Sequence, residues 1–268
     1  MAPRIWLWPN LLSLDAPVVA VLWQILFIRC FHATRLTQGT VRPSVLLVSV
    51  VWLIYAADRA LDAWRGSDAR PRHEFYKRHW RALLPIWIVV LAATSGFAWT
   101  SLQPELFERG AWLLAAVLVY FGVVHFSRLR WPKEAAVAVI FGLGASLAAW
   151  TRVETSYDVL TVVLFACLCW INCAAITDWE HGAWEHGDWE CRPGRWSIGI
   201  LAACVGVAAI AVLHRERPIL AGAEAASAIA FIMLDHSRLK LSADALRVLA
   251  DVALLSPIFF LPLAGTGF

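Results

Sequence analysis

Two aspartates, Asp58 and Asp62, stand four residues apart at the end of a long apolar run, Ser44–Ala57. On a helix, side chains at i and i+4 share one face, with Cβ atoms about 6 Å apart. Carboxylates supply the hard oxygen ligands that Mg²⁺ takes. Ionisable groups at membrane depth are costly, so they usually face the protein interior and act there. A second apolar segment ends in the same way. It holds Cys167, Cys169, Trp170 and Cys173 and turns polar at Asn172, Asp178 and Glu180. Asn172 and Glu180, eight apart, share a face, with Asp178 to one side. Two acidic clusters facing each other would bind bridged divalent metal, the usual way to hold a diphosphate. The spacing predicts that Asp58, Asp62, Asn172 and Asp178 converge on one cavity.

Other groups are weaker candidates. A five-residue repeat, Trp179-Glu180-His181-Gly182-Ala183 and Trp184-Glu185-His186-Gly187-Asp188, offers His181, Glu185, His186 and Asp188 to a transition metal. Gly182 and Gly187 loosen the backbone that a metal site needs fixed. The segment therefore reads as an interfacial loop with tryptophans at headgroup level. Cys169 and Cys173 are one turn apart, without the second cysteine pair of a structural zinc site. Asp244, Arg247 and Asp251 fall on one helix face and read as an internal ion-pair set.

These residues must be carried by membrane-spanning helices. The chain has 268 residues, 60% of them hydrophobic, and a mean hydropathy of +0.64. That is well above the roughly 45–50% apolar content of soluble domains. An all-α polytopic membrane protein follows, a bundle of about nine transmembrane helices in a single domain over 1–268. Run lengths and breakers place the spans near 16–32, 44–64, 81–101, 110–127, 133–150, 157–178, 195–213, 218–235 and 243–262. Pro17, Pro43, Pro132, Pro193 and Pro218 mark helix starts, where a missing N–H costs least. Pro85 and Pro257 fall inside spans and predict kinks. No cleavable signal peptide is expected after Met1-Ala2-Pro3-Arg4.

With nine spans, one side collects about twice as many of the 23 lysines and arginines as the other. The positive-inside rule makes that side cytoplasmic, in an inner or plasma membrane. The N-terminus is then inside, the C-terminus outside, and the Asp58/Asp62 end faces the cytoplasm. The long connections, about 65–80 and 179–194, fall on the same side. The first holds Arg70, Arg72, His73, Lys77, Arg78 and His79. A net charge of +3 is too small to point to nucleic acid.

Trp52-Leu53-Ile54-Tyr55-Ala56-Ala57-Asp58-Arg59-Ala60-Leu61-Asp62 resembles the first aspartate-rich motif of the UbiA superfamily of intramembrane prenyltransferases. Asp58 and Asp62 match its DxxxD core. Tyr120, Arg128, Pro132, Lys133 and Phe141-Gly142-Leu143-Gly144 resemble the family's diphosphate-contacting region. Ile54 stands where the family has Asn, and the second DxxxD is replaced by Asn172, Asp178 and Glu180. The resemblance implies a Mg²⁺-dependent enzyme in the bilayer that ionises an isoprenyl diphosphate and transfers the prenyl group to an aromatic or polar acceptor. It implies catalytic roles for Asp58, Asp62, Asn172 and Asp178, with Asp58, Asp62 and Asp178 as Mg²⁺ ligands, and substrate contacts from Tyr55, Tyr120, Arg128, Lys133 and Glu180. A terpene cyclase and a catalytically silent membrane scaffold are the alternatives. A transporter using the acids as a cation path is a further class, but no repeated halves are visible.

Overall fold

The computed structural model describes residues 8–32, 38–64, 71–126, 133–185 and 197–264. Every regular element among them is helical. Among the described residues six helices are long and apolar enough to cross a membrane: Val41–Trp64, Phe75–Ser101, Pro104–His125, Lys133–Trp150, Ser156–Trp179 and Pro218–Lys240. By length and composition they suggest an integral membrane protein.

Nine spans are therefore not what forms, and three of the expected helices fall short for separate reasons. The helix expected over 16–32 is α2 (Asp15–His32), 18 residues interrupted by Gln24 and Arg29. Its apolar side chains Trp23, Leu26, Phe27 and Ile28 are buried against protein. The one expected over 195–213 is α8 (Ile198–Leu213), 16 residues and thus about 24 Å long, short of a core of about 30 Å. The one expected over 243–262 is broken. Its first part, α10 (Ala243–Ala253), has 11 residues, and Pro257 opens a separate short turn, α11 (Pro257–Phe260). The placement of the two chain ends on opposite sides rested on an odd number of spans and does not follow from six.

Both expected long loops are partly helical. α4 (Pro71–Ser101) starts on Pro71, so Lys77, Arg78 and His79 lie on a helix. Proline suits a helix's first position, and Phe75 and Tyr76 give the next turn an apolar face to bury. α7 (Ser156–Glu185) continues through the first five-residue repeat. Trp179 is 1% exposed, not at a lipid interface. Pro43 lies inside α3 (Gln38–Trp64), which starts five residues before it. His186, Asp188, Pro132 and Pro193 lie outside the described residues.

The chain divides into two compact units, residues 1–21 with 36–131, and residues 22–35 with 132–268. In the first, α3 packs along α4. Trp87 Nε1 donates to the Leu53 carbonyl at 3.0 Å, and Tyr76 joins Ala56 and Ala63 in one apolar cluster. The two helices therefore run antiparallel, with the Asp58–Asp62 turn level with residues 78–82. A short helix, α1 (Trp8–Leu11), leads into a tight turn at Ser13, whose φ is 57°. Ser13 Oγ and Tyr76 Oη are 2.9 Å apart and anchor that turn. α5 (Pro104–Phe126) stands largely bare.

In the second unit α7 is the centre, in contact with α6 (Lys133–Ser146), α8, α9 (Pro218–Ser237) and α10. Thr155 and Asp158 cap its start reciprocally. The Asp158 amide donates to Thr155 Oγ1 at 3.3 Å, and Asp158 Oδ2 accepts from the Thr155 amide at 3.1 Å. This is the capping-box arrangement. Small residues let neighbouring helices approach: a Cβ on Gly142 would lie 3.0 Å from Ala166 Cβ, and one on Gly206 3.0 Å from Ala228 Cβ. Trp23 stacks on Phe165 with ring centres 4.3 Å apart and donates to the Leu254 carbonyl at 2.8 Å.

Candidate functional site

The Asp58 turn of α3 is positioned from two directions. Ala56 and Ala63 face α4 and are buried, which leaves Asp58 on another side of the helix. There His125, near the end of α5, donates from Nε2 to Asp58 Oδ1 at 3.1 Å. His125 is 3% exposed and Asp58 39% exposed. A buried imidazole thus fixes a carboxylate that still reaches the surface. Phe121, one turn earlier, stacks on His125 with ring centres 5.5 Å apart.

The residue between the two aspartates turns the opposite way. Arg59 is 6% exposed. It donates to the Asn10 carbonyl and pairs with Asp15 Oδ2 at 3.6 Å. Asn10 Nδ2 donates to the same oxygen at 2.7 Å. Among the described residues the cation nearest in sequence to Asp58 and Asp62 is therefore engaged by Asp15. Asp62, Tyr55 and Tyr120 are part-exposed and lie in the same unit. Each has a partner of its own. Arg128 lies outside the described residues.

The second polar segment belongs to the other unit. Asn172 Nδ2 donates to Asp251 Oδ1 at 3.1 Å, joining α7 to α10. Asn172 Oδ1 is buried without a hydrogen-bond partner among the described residues. Asp178 is part-exposed and interacts with a neighbour. Lys133 is exposed at the start of α6. Glu180 lies on the last turns of α7, its side chain outside the described residues.

Among the described residues no three His, Cys, Asp or Glu side chains gather as a metal set. A Mg²⁺–diphosphate site needs fewer protein ligands, since Mg²⁺ is commonly held by one or two carboxylates plus substrate phosphates and water. Asp58 fits that donor chemistry: its ligating group is oxygen, and a hydrogen bond from His125 orients it as partners of metal-bound carboxylates do.

Sequence reasoning missed three partners: His125 for Asp58, Asp15 for Arg59, and Asp251 for Asn172. A lone histidine in the apolar run Tyr120–Phe126 was the available signal for the first. No protein-family model matches the chain, and no curated protein or solved structure matches it either.

Proposed function

We propose that the chain is a Mg²⁺-dependent intramembrane prenyltransferase that ionises an isoprenyl diphosphate and passes the prenyl group to an acceptor. The observation that carries this reading is Asp58, a part-exposed carboxylate near the end of a span, held by a buried histidine. Asp62, one turn further along α3 in the same unit, is the other proposed ligand. Mg²⁺ would neutralise the diphosphate leaving group. His125 holds the Asp58 carboxylate in one orientation before substrate arrives. Tyr55 and Tyr120 offer aromatic faces to the cationic prenyl fragment, each worth about 0.5–2 kcal/mol. Arg128 is assigned to the diphosphate oxygens.

The test is diphosphate release from isoprenyl diphosphates in a lipid phase, with and without Mg²⁺. Asp58→Ala and Asp62→Asn are expected to abolish Mg²⁺-dependent turnover. His125→Ala is expected to lower it by about 10- to 100-fold, the range for partners that orient metal ligands. Arg128→Ala is expected to weaken binding of a diphosphate analogue by about tenfold or more, because charge-assisted bonds contribute roughly 1.5–3 kcal/mol. Release without an acceptor would point to a cyclase or a hydrolase instead. A wild-type chain that neither binds nor cleaves any isoprenyl diphosphate would end the enzymatic reading in favour of a scaffold.

A further inference from the structure

The exposed stripe of α4 has a polar head that the catalytic reading does not use. Lys77, Arg81, Leu84, Ile88, Leu91, Ser95 and Trp99 recur at helical spacing, and every one is exposed. Leu84, Ile88 and Leu91 are 40–53% exposed and Trp99 76%. Thr94 is the one buried residue between Lys77 and Thr100. Such a face belongs in lipid. Trp80, 42% exposed, and Trp99 lie about 28 Å apart along the helix at 1.5 Å per residue. That is close to the hydrocarbon thickness of about 30 Å, and tryptophans mark both membrane interfaces. The spacing sets Trp80 at one headgroup level and Trp99 at the other.

Lys77 and Arg81 stand at the Trp80 level on the same stripe. The Arg81 guanidinium lies 5.8 Å from the Trp80 ring centre, so its charge is held beside the interfacial indole. Arg78 adds a third exposed cation. Among the described residues none of the three has a carboxylate partner. Cations at the surface of an anionic bilayer gain about 1 kcal/mol each, and a phosphodiester is the anion present at that depth.

We propose that Lys77 and Arg81, with Arg78, form a surface that binds the headgroups of anionic phospholipids beside α4. The proposal rests on the membrane-embedded state of the chain and not on its enzymatic reading. The full chain is purified in detergent and offered phosphatidylglycerol and phosphatidylcholine of identical acyl chains, and retained lipid is counted by native mass spectrometry. Wild type is expected to retain phosphatidylglycerol about tenfold or more over phosphatidylcholine, the gain from two surface cations. Lys77→Gln with Arg81→Gln is expected to lose most of that preference, and Lys77→Arg with Arg81→Lys to keep it. Millimolar inorganic phosphate is expected to leave the lipid bound. Equal retention of both lipids by wild type, an undiminished preference in the Gln pair, its loss in the Lys/Arg swap, or displacement by free phosphate would each overturn the proposal.

Discussion

The two compact units use their helices differently. In the first, α4 and α5 are nearly bare: beyond Tyr76 only Thr94 is buried among the described side chains of α4, and 6% of the α5 window is buried. In the second, half of the α7 window and 44% of the α9 window are buried. Individual carboxylates mark the same contrast. Asp58 keeps 39% exposure beside His125, whereas Asp158 at the start of α7 is fully buried and takes Arg217 at 2.6 Å. Glu224 on α9 is also fully buried, and neither carboxyl oxygen has a hydrogen-bond partner among the described residues. In the second unit α7 and α9 are built as protein interior, while in the first α4, α5 and the Asp58 turn are open to whatever surrounds them. A carboxylate that must meet a ligand needs the open setting of Asp58, and one that holds helices together needs the closed setting of Asp158.

That contrast can be broken by substitution, starting with the largest effect. Asp158→Ala removes the partner of Arg217 and half of the α7 capping box, so it is expected to destabilise by about 3–5 kcal/mol. Unfolding of the purified protein in mixed micelles measures it. A loss under about 1 kcal/mol, the worth of an exposed pair, would show that the buried pair is not what holds the start of α7. Gly206→Val drives a side chain into Ala228 and is expected to cost about 1–3 kcal/mol by overpacking. The same assay reads it, and a neutral result would mean that α8 and α9 can separate freely.

Glu224→Met sharpens the comparison from the opposite sign. It replaces two buried, unpartnered oxygens with an apolar group of similar length, and a gain of about 1–3 kcal/mol is expected. Destabilisation would show that the carboxyl has a role in the second unit that its neighbours do not reveal. The smallest effects belong to the first unit. A Cβ added at Gly96 or Gly122 would meet nothing within 4 Å. Gly96→Ala and Gly122→Ala are expected to be neutral or to stabilise by up to about 1 kcal/mol, through helix propensity alone. A clear loss at either site would reveal a packing partner on that face.

Local sequence was enough for an all-α chain with long apolar helices, and for Asp58 and Asp62 on one turn of one helix. Both follow from run length and the 3.6-residue period, which operate within a single element. Run length alone did not separate a span from a helix too short or too broken to be one. α8 is a turn or more short of a bilayer core, and Pro257 splits the last apolar run. Nor did polarity separate loop from helix at residues 71–80 and 179–185, where packing of Tyr76 and Trp179 keeps the backbone helical. The partners of the charged and polar groups came only from tertiary structure. His125 is 67 residues from Asp58 and Asp251 is 79 from Asn172. Periodicity fixes the face on which a side chain leaves its own helix, but the group that meets it there depends on which helices pack together.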